Sequence, residues 1–401
     1  MNEKMVKLGT KRSVIRELFE YGLKRKKEIG ENKVFDFSIG NPSIPAPECV
    51  TLTMERLLKE VEPTALHGYT PAPGAPAVRE KIAEYIRKEF GAKCFAENVY
   101  MTCGAAAALT SVITAVTESR GDEIITFTPF FPEYKVFIEH AGAKLVTVDC
   151  PAPEFNLPTD KLFCAITEKT RAVIINSPNN PTGRVIPEKE IIALAKILTD
   201  KSALYGKPIY LIADEPYREL VYGGVKVPFV PNYYDNAIVC YSFSKSMSLP
   251  GERIGYAFVS PKCENSDLVF AAVAGAARAL GFVCAPSILQ FTVAENYGKT
   301  ADIAAYEKNR ELLYDFLVKT GYTVVKPDGA FYLFVKALEE DAGAFSEKAK
   351  KHELLLVPSD DFGCPGYVRI AYCTAYDTIV NSLAAFKALF DEYARLTPPQ
   401  V

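Results

Sequence analysis

The chain predicts an α/β fold built on a mostly parallel sheet, and three observations lead there. Short runs rich in β-branched residues recur between residues 99 and 259, helical stretches separate them, and many of the runs are apolar along almost their whole length. A strand with two apolar faces must be covered on both, which is what crossover helices do in α/β proteins. The seven strand candidates are Val99–Cys103, Glu123–Thr128, Lys144–Val148, Ala172–Asn176, Pro208–Ala213, Ala237–Tyr241 and Gly255–Val259. Helices are expected between them over 105–118, 132–140, 158–166 and 187–199. In such sheets ligands bind beyond the carboxyl ends of the strands, so chemistry is expected in the residues that follow each strand.

The flanks read differently. Residues 11–30 form an amphipathic pattern with Val14, Ile15, Leu18, Phe19 and Leu23 on one side. Val34–Ile39 reads as a short strand entering the loop Gly40-Asn41-Pro42-Ser43-Ile44-Pro45. From 286 onward a charged helix is expected over roughly 287–319. Strands then follow at Thr323–Lys326, Phe331–Val335, Leu354–Val357 and Tyr367–Tyr372, with helices over 343–352 and 376–394. The expected division is a large domain, 46–285, and a smaller α+β domain made of 1–45 and 286–401, the N-terminal helix packing with the latter.

Composition narrows the function. The 401 residues carry 46 basic and 49 acidic side chains, a net charge of −3, which argues against a nucleic-acid or anionic-membrane partner. Acidic residues flank the basic run Lys24–Lys27 at helical spacing, as on a solvated helix face. No apolar run approaches the roughly 20 residues that span a bilayer, and residues 1–25 lack the apolar segment of a signal peptide. Ten cysteines show no C-x-x-C spacing and the three histidines lie far apart, so reduced thiols, no metal site and a cytoplasmic setting are expected. Cys103, Cys240, Cys284 and Cys373 sit in apolar runs, as buried thiols do.

The strand ends hold the candidate chemistry. Gly104-Ala105-Ala106 opens a helix, whose free N–H groups and dipole suit an anion, although an Ala-rich start also suits plain packing. Pro129-Phe130-Phe131-Pro132 holds rings rigidly enough to stack on a planar ligand, or to serve as core. Ser177-Pro178-Asn179-Asn180-Pro181-Thr182-Gly183 is a stiff loop that fixes side-chain amides. Asp214, at the end of an apolar strand and followed by Tyr217, needs a cation or donor, or else caps a helix. Ser242-Phe243-Ser244-Lys245-Ser246 places one amine among serines, with Arg253 eight positions on. Desolvation and neighbouring cations make such a lysine nucleophilic, and hydroxyls with a guanidinium hold phosphate. An anion site, a ring, an amide, an acid and an amine together are the set pyridoxal phosphate requires.

With Asn-Pro-Thr-Gly at 180–183, Asp-x-x-Tyr at 214–217 and Ser-x-Ser-Lys to Arg at 242–253, the chain resembles the class I/II aminotransferases of fold type I, which include the aspartate and aromatic enzymes. The similarity runs from Gly40-Asn41-Pro42 to Tyr367-Val368-Arg369. The resemblance implies that Lys245 binds pyridoxal 5'-phosphate as a Schiff base and shuttles protons, and that Asp214 pairs with the ring nitrogen. It implies that Tyr217 and Asn180 bond the phenolic oxygen and that Phe131 stacks on the ring. Ala105, Ala106, Ser242, Ser244 and Arg253 would hold the phosphate. Arg369, with Asn180 and the Gly40 backbone, would clamp the substrate α-carboxylate. Tyr69 would reach the phosphate of a neighbouring subunit, which implies a homodimer with shared active sites.

Three departures stand out: Ala105-Ala106 where a polar side chain is frequent, Phe131 where Tyr or Trp is commoner, and the acids Asp360 and Asp361 near the expected entrance. The expected activity is transfer of an amino group from an L-amino acid (aspartate or an aromatic or neutral one) to a 2-oxo acid such as 2-oxoglutarate. C–S lyases and decarboxylases built on the same fold are the alternative.

Overall fold

In a computed structural model, which describes residues 1–10 and 13–396, the chain forms two main sheets and the helices that cover them. It opens with α1 (Glu3–Thr10) and α2 (Val14–Ile29), the latter capped by the Ser13 side chain, and then β1 (Phe35–Asp36). Helices α3 (Glu48–Glu60), α4 (Pro63–His67) and α5 (Pro76–Phe90) lead to the central block. That block runs β2 (Val99–Thr102), α6 (Gly104–Val116), β3 (Glu123–Thr128), α7 (Glu133–His140), β4 (Lys144–Asp149), α8 (Thr159–Ala165), β5 (Thr170–Asn176), α9 (Glu188–Tyr205), β6 (Tyr210–Asp214), β7 (Ala237–Ser242), α10 (Phe243–Ser246), β8 (Gly255–Val259) and α11 (Ser266–Ala279). Then follow α12 (Ser287–Glu295), α13 (Ile303–Thr320), β9 (Val324–Val325), β10 (Tyr332–Lys336), α14 (Ala342–Lys351), β11 (Leu354–Leu355), β12 (Val357–Pro358), β13 (Tyr367–Ala371) and α15 (Tyr376–Leu396).

The seven predicted strands form one sheet in the order β2-β8-β7-β6-β5-β3-β4. Only β8 runs against its neighbours. Alternate side chains fill two cores. Ile125, Val173, Leu211 and Val239 join one cluster, while Ile124, Ile174, Ile212 and Ile238 join another. Burial on both faces is why these strands read as continuous apolar runs. A third core gathers Phe37, Tyr217 and Leu220 with residues of α13, β10, β13 and α15.

Four expectations need correction. The helix expected over 287–319 is two: α12 ends at Glu295, and Asp302 starts α13 by accepting a hydrogen bond from the Ala305 N–H at 3.3 Å. The intervening Tyr297-Gly298 cannot sustain a helix cheaply, and α12 packs on α3 and α5. The strand expected over Val34–Ile39 shrinks to Phe35–Asp36, because only β11 pairs with it. Leu354–Val357 divides between β11 and β12, which pair with β1 and β13 respectively. Of the thiols expected to be buried, Cys240 and Cys373 are, whereas Cys103 and Cys284 are half-buried; all ten are free. Lys11 and Arg12, at the start of the amphipathic stretch, lie outside the described residues. Helix α2 packs on β11 and β12, with Leu18 against Val357 and Phe362. No described helix is long and apolar enough to cross a membrane.

Gly255 opens β8 where three segments converge. A Cβ there would stand on the Tyr241 backbone oxygen and 3.1 Å from the Gly104 Cα. Gly255→Ala is therefore expected to cost roughly 1–3 kcal/mol, the usual penalty for overpacking, measurable as a lower denaturation midpoint.

Candidate active site

Strand register assembles the site. Asn176 lies opposite Asp214, Asp214 opposite Cys240, and Ser242 opposite Gly255, so residues far apart in sequence share one edge of the sheet. A cavity of about 290 Å³ opens at that edge. Gly40, Ala105, Ala106, Phe131, Asn180, Asp214, Tyr217, Ser242, Ser244, Lys245, Arg253 and Arg369 all line it. Tyr69 does not: its side chain is fully exposed on the loop after α4.

Asp214 ends β6 buried. Its Oδ2 accepts a hydrogen bond from the Tyr134 hydroxyl at 2.5 Å, while its Oδ1 has no partner. Burial pushes its pKa up to about 7; the Tyr134 hydrogen bond opposes the rise and Glu215 adds to it. The Asn176 side chain donates to the Asp214 carbonyl at 2.8 Å and its Oδ1 accepts from the Asn180 N–H at 2.7 Å, tying the stiff loop to the acid's strand.

Lys245 sits on the short helix α10, directly after β7, and its Nζ donates to the Gly40 carbonyl at 2.6 Å. Burial brings the ammonium's pKa down to about 8. Cys373 opposes that shift, and Arg369 and Arg253 reinforce it. No carboxylate pairs with this amine among the described residues, so it is poised to act as a nucleophile or base.

The anion end lies beside it. Ser242 and Ser244 are buried, with their hydroxyls 2.8 Å apart. Arg253 donates to the Pro250 carbonyl at 3.0 Å and has no carboxylate partner among the described residues. Its Nη2 lies 2.9 Å from where a Cβ on Gly104 would stand, so only glycine lets the guanidinium approach the head of α6. An unpaired guanidinium, two hydroxyls and a helix N-terminus make an anion cradle.

Arg369, on β13, is 2% exposed and also lacks a carboxylate. Its Nη1 donates to Asn180 Oδ1 at 3.2 Å and its Nη2 to the Ser38 carbonyl at 2.6 Å, but its Nε is unpartnered. The guanidinium carbon stands 4.6 Å from the Tyr332 ring centroid, and the Tyr332 hydroxyl meets that of Tyr217 at 2.9 Å.

Sequence reading missed Tyr134, Asn176 and Tyr332. Tyr134 follows the Pro-rich turn by two residues, in α7, and Asn176 is the last residue of a predicted strand, so their positions were visible and their partners were not. Tyr332, from β10, left no local signal. Ile15 and Ile39 also line the cavity.

The orphaned Asp214 Oδ1 calls for a cationic N–H donor, the anion cradle for a phosphate, and the amine for a carbonyl carbon. Pyridoxal phosphate presents all three groups, and these residues fit it. The comparisons agree. The family model for aminotransferase class I and II matches residues 32–385, and the chain belongs to that pyridoxal phosphate-dependent family. An aspartate aminotransferase of Pyrococcus horikoshii is 31% identical over 385 residues, 93% of each chain. Among solved structures, an aminotransferase of Eubacterium rectale superposes with a TM-score of 0.96 at 53% identity, covering 98% of this chain and 99% of that one. The aspartate aminotransferase of Thermus thermophilus with maleate gives 0.84 at 26%, covering 95% and 98%.

Only the neutral Lys245 amine can attack a carbonyl, and its pKa is lowered to about 8. Capture of pyridoxal phosphate by the cofactor-free protein should therefore level off above about pH 8. Below it the rate should fall about tenfold per pH unit, as stopped-flow absorbance between pH 6 and 9 would record.

Proposed function

We propose that the chain transfers the amino group of an L-amino acid to a 2-oxo acid, with 2-oxoglutarate the expected acceptor. The first product leaves before the acceptor enters. The observation behind this reading is one cavity lined by an amine of lowered pKa, Lys245, a buried carboxylate with one oxygen unpartnered, Asp214, and a buried guanidinium lacking an anion, Arg369.

Bound pyridoxal phosphate supplies an electron sink that acidifies the substrate's α-carbon. Asp214 would accept from the ring nitrogen and keep it protonated, with Tyr134 holding the carboxylate in place. Asn180 and Tyr217 would donate to the phenolic oxygen, and Phe131 would lie against the ring. Ser242, Ser244, Arg253 and the backbone of Ala105 and Ala106 would bind the phosphate. Lys245 would take the α-proton and return it, as the tuned amine a proton shuttle requires.

Arg369 has five N–H groups. Asn180 and Ser38 take one from each Nη, leaving the Nε–H and one on each Nη for the two oxygens of a substrate α-carboxylate.

We further infer a homodimer in which Tyr69 of one copy completes the phosphate site of the other. Tyr69 is wholly exposed and therefore free to meet a second copy. Its loop is held in place by the Gln290 amide on the Thr70 hydroxyl at 3.1 Å and by the Cys284 thiol on the Thr70 carbonyl.

Lys245→Ala is expected to abolish the covalent cofactor's visible absorbance and all turnover; persistence of both would refute the assignment. Arg369→Lys should raise substrate KM and lower kcat/KM by roughly tenfold or more, because a point charge replaces a planar fork. Steady-state kinetics with any accepted amino acid would test this.

A further inference from the structure

Asp214 and Lys245 stand at neighbouring strand ends, and each is followed by a residue that turns away from the cavity. Ile212 and Asp214 take one face of the sheet. Leu211 and Ala213 belong to the core on the other face, where Glu215 borders Ile175, Ala213 and Val230. On β7, Ser242 lines the cavity while Tyr241 joins that far core. On α10, Lys245 lines the cavity while Ser246 is buried, its hydroxyl 3.0 Å from that of Tyr241.

One guanidinium joins these residues behind the sheet. Arg218, in the turn after β6, is buried, and its Nε donates to Glu215 Oε2. Its Nη1 donates to the hydroxyls of Tyr256 at 3.3 Å and Tyr297 at 3.4 Å. The guanidinium carbon stands 4.7 Å from the Tyr241 ring centroid, with Phe90 at 4.9 Å and Phe229 at 5.2 Å. Contacts therefore run from Asp214 through Glu215, Arg218 and Tyr241 to Ser246 and Lys245. A buried ion pair is often no more stabilising than an apolar filling of the same volume. Directional bonds and a stacked guanidinium do fix one element against another, which the support of a reactive site requires.

We propose that Arg218 and Tyr241 are positioning residues for the aminotransferase reaction: from behind the sheet they hold α10, and with it the Lys245 amine, against the strand end that carries Asp214. This rests on the assignment of Lys245 as the amine that binds the cofactor, and adds its support. Without that support α10 would loosen and water would reach the amine, undoing the desolvation that lowers its pKa.

The test is capture of pyridoxal phosphate by the cofactor-free protein, followed by stopped-flow absorbance from about pH 6.5 to about pH 9.5. Wild type is compared with Tyr241→Phe and with the double variant Glu215→Gln/Arg218→Met. Tyr241→Phe keeps the ring under the guanidinium and removes only the hydroxyl at Ser246. The double variant removes both charges of the pair and orphans neither; Glu219 nearby, its carboxyl pushed up by burial, can hold a proton instead. The groups that face the amine, namely Cys373, Arg369, Arg253, Asp214, Tyr217 and Tyr332, are the same in all three proteins.

The midpoint of capture, about 8 in the wild type, should rise by about half a unit in Tyr241→Phe and by about one unit in the double variant. Capture at about pH 7 then slows about threefold and about tenfold, while the rates converge at high pH. A merely structural role would lower the rate by one factor at every pH, in step with the folded fraction seen by circular dichroism. That outcome, or unchanged midpoints, would overturn the proposal. Should the double variant not fold, Tyr241→Phe decides alone. Capture that persisted in Lys245→Ala would instead remove the assignment on which the proposal rests.

Discussion

Parallel pairing of β5, β6 and β7 in a fixed register is the constraint from which the active site follows. Asn176 and Asp214 are opposed across one strand pair, and the next strand runs straight into Ser242 and the Lys245 turn. A slip of one residue would turn Asp214 from the cavity into the apolar layer, because strand side chains alternate between faces. Ile174, Ile212 and Ile238 on one face, with Val173, Leu211 and Val239 on the other, forbid that slip, since either shift would exchange two packed cores. The geometry of the cavity is thus held by the same burial that stabilises the sheet.

On that frame the protein places charges that its own side chains leave incomplete. Asp214 keeps one oxygen unpartnered and Arg369 its Nε, both within the fold. Such groups cost stability in a cofactor-free chain, and they persist only because the surroundings over-determine them. The gain is preorganisation: donors and acceptors already point at a ligand's charges, and little needs to reorganise when it arrives. Tyr134 and Tyr332 belong to this scheme although neither bears a charge. One fixes the acid; the other lies against the guanidinium and bonds Tyr217.

Much of this was legible in the sequence, for a physical reason. Strands buried on both faces write themselves as apolar runs, so their ends, and hence Asp214, Asn180 and Lys245, could be located from one sequence. The break between α12 and α13 was hidden in a stretch whose composition favours helix on either side. Tyr332 could not be found at all, since its meeting with Tyr217 depends on how β10 docks across the cavity. Ile15 was read as part of an apolar helix face, yet it also borders the site, because α2 closes one side of it.

Arg369 reaches back to Ser38, and Lys245 to Gly40. The two ends of the chain therefore meet at the cavity, while the anion cradle, the acid and the amine all lie between residues 104 and 253. During synthesis on the ribosome, this middle block emerges complete more than a hundred residues before Arg369, the arginine proposed to receive substrate. Domains fold as units in the order they appear, so the groups proposed to grip the cofactor can settle before the arginine proposed to grip an amino acid exists. The newborn protein acquires the place for its tool first and the place for its work last.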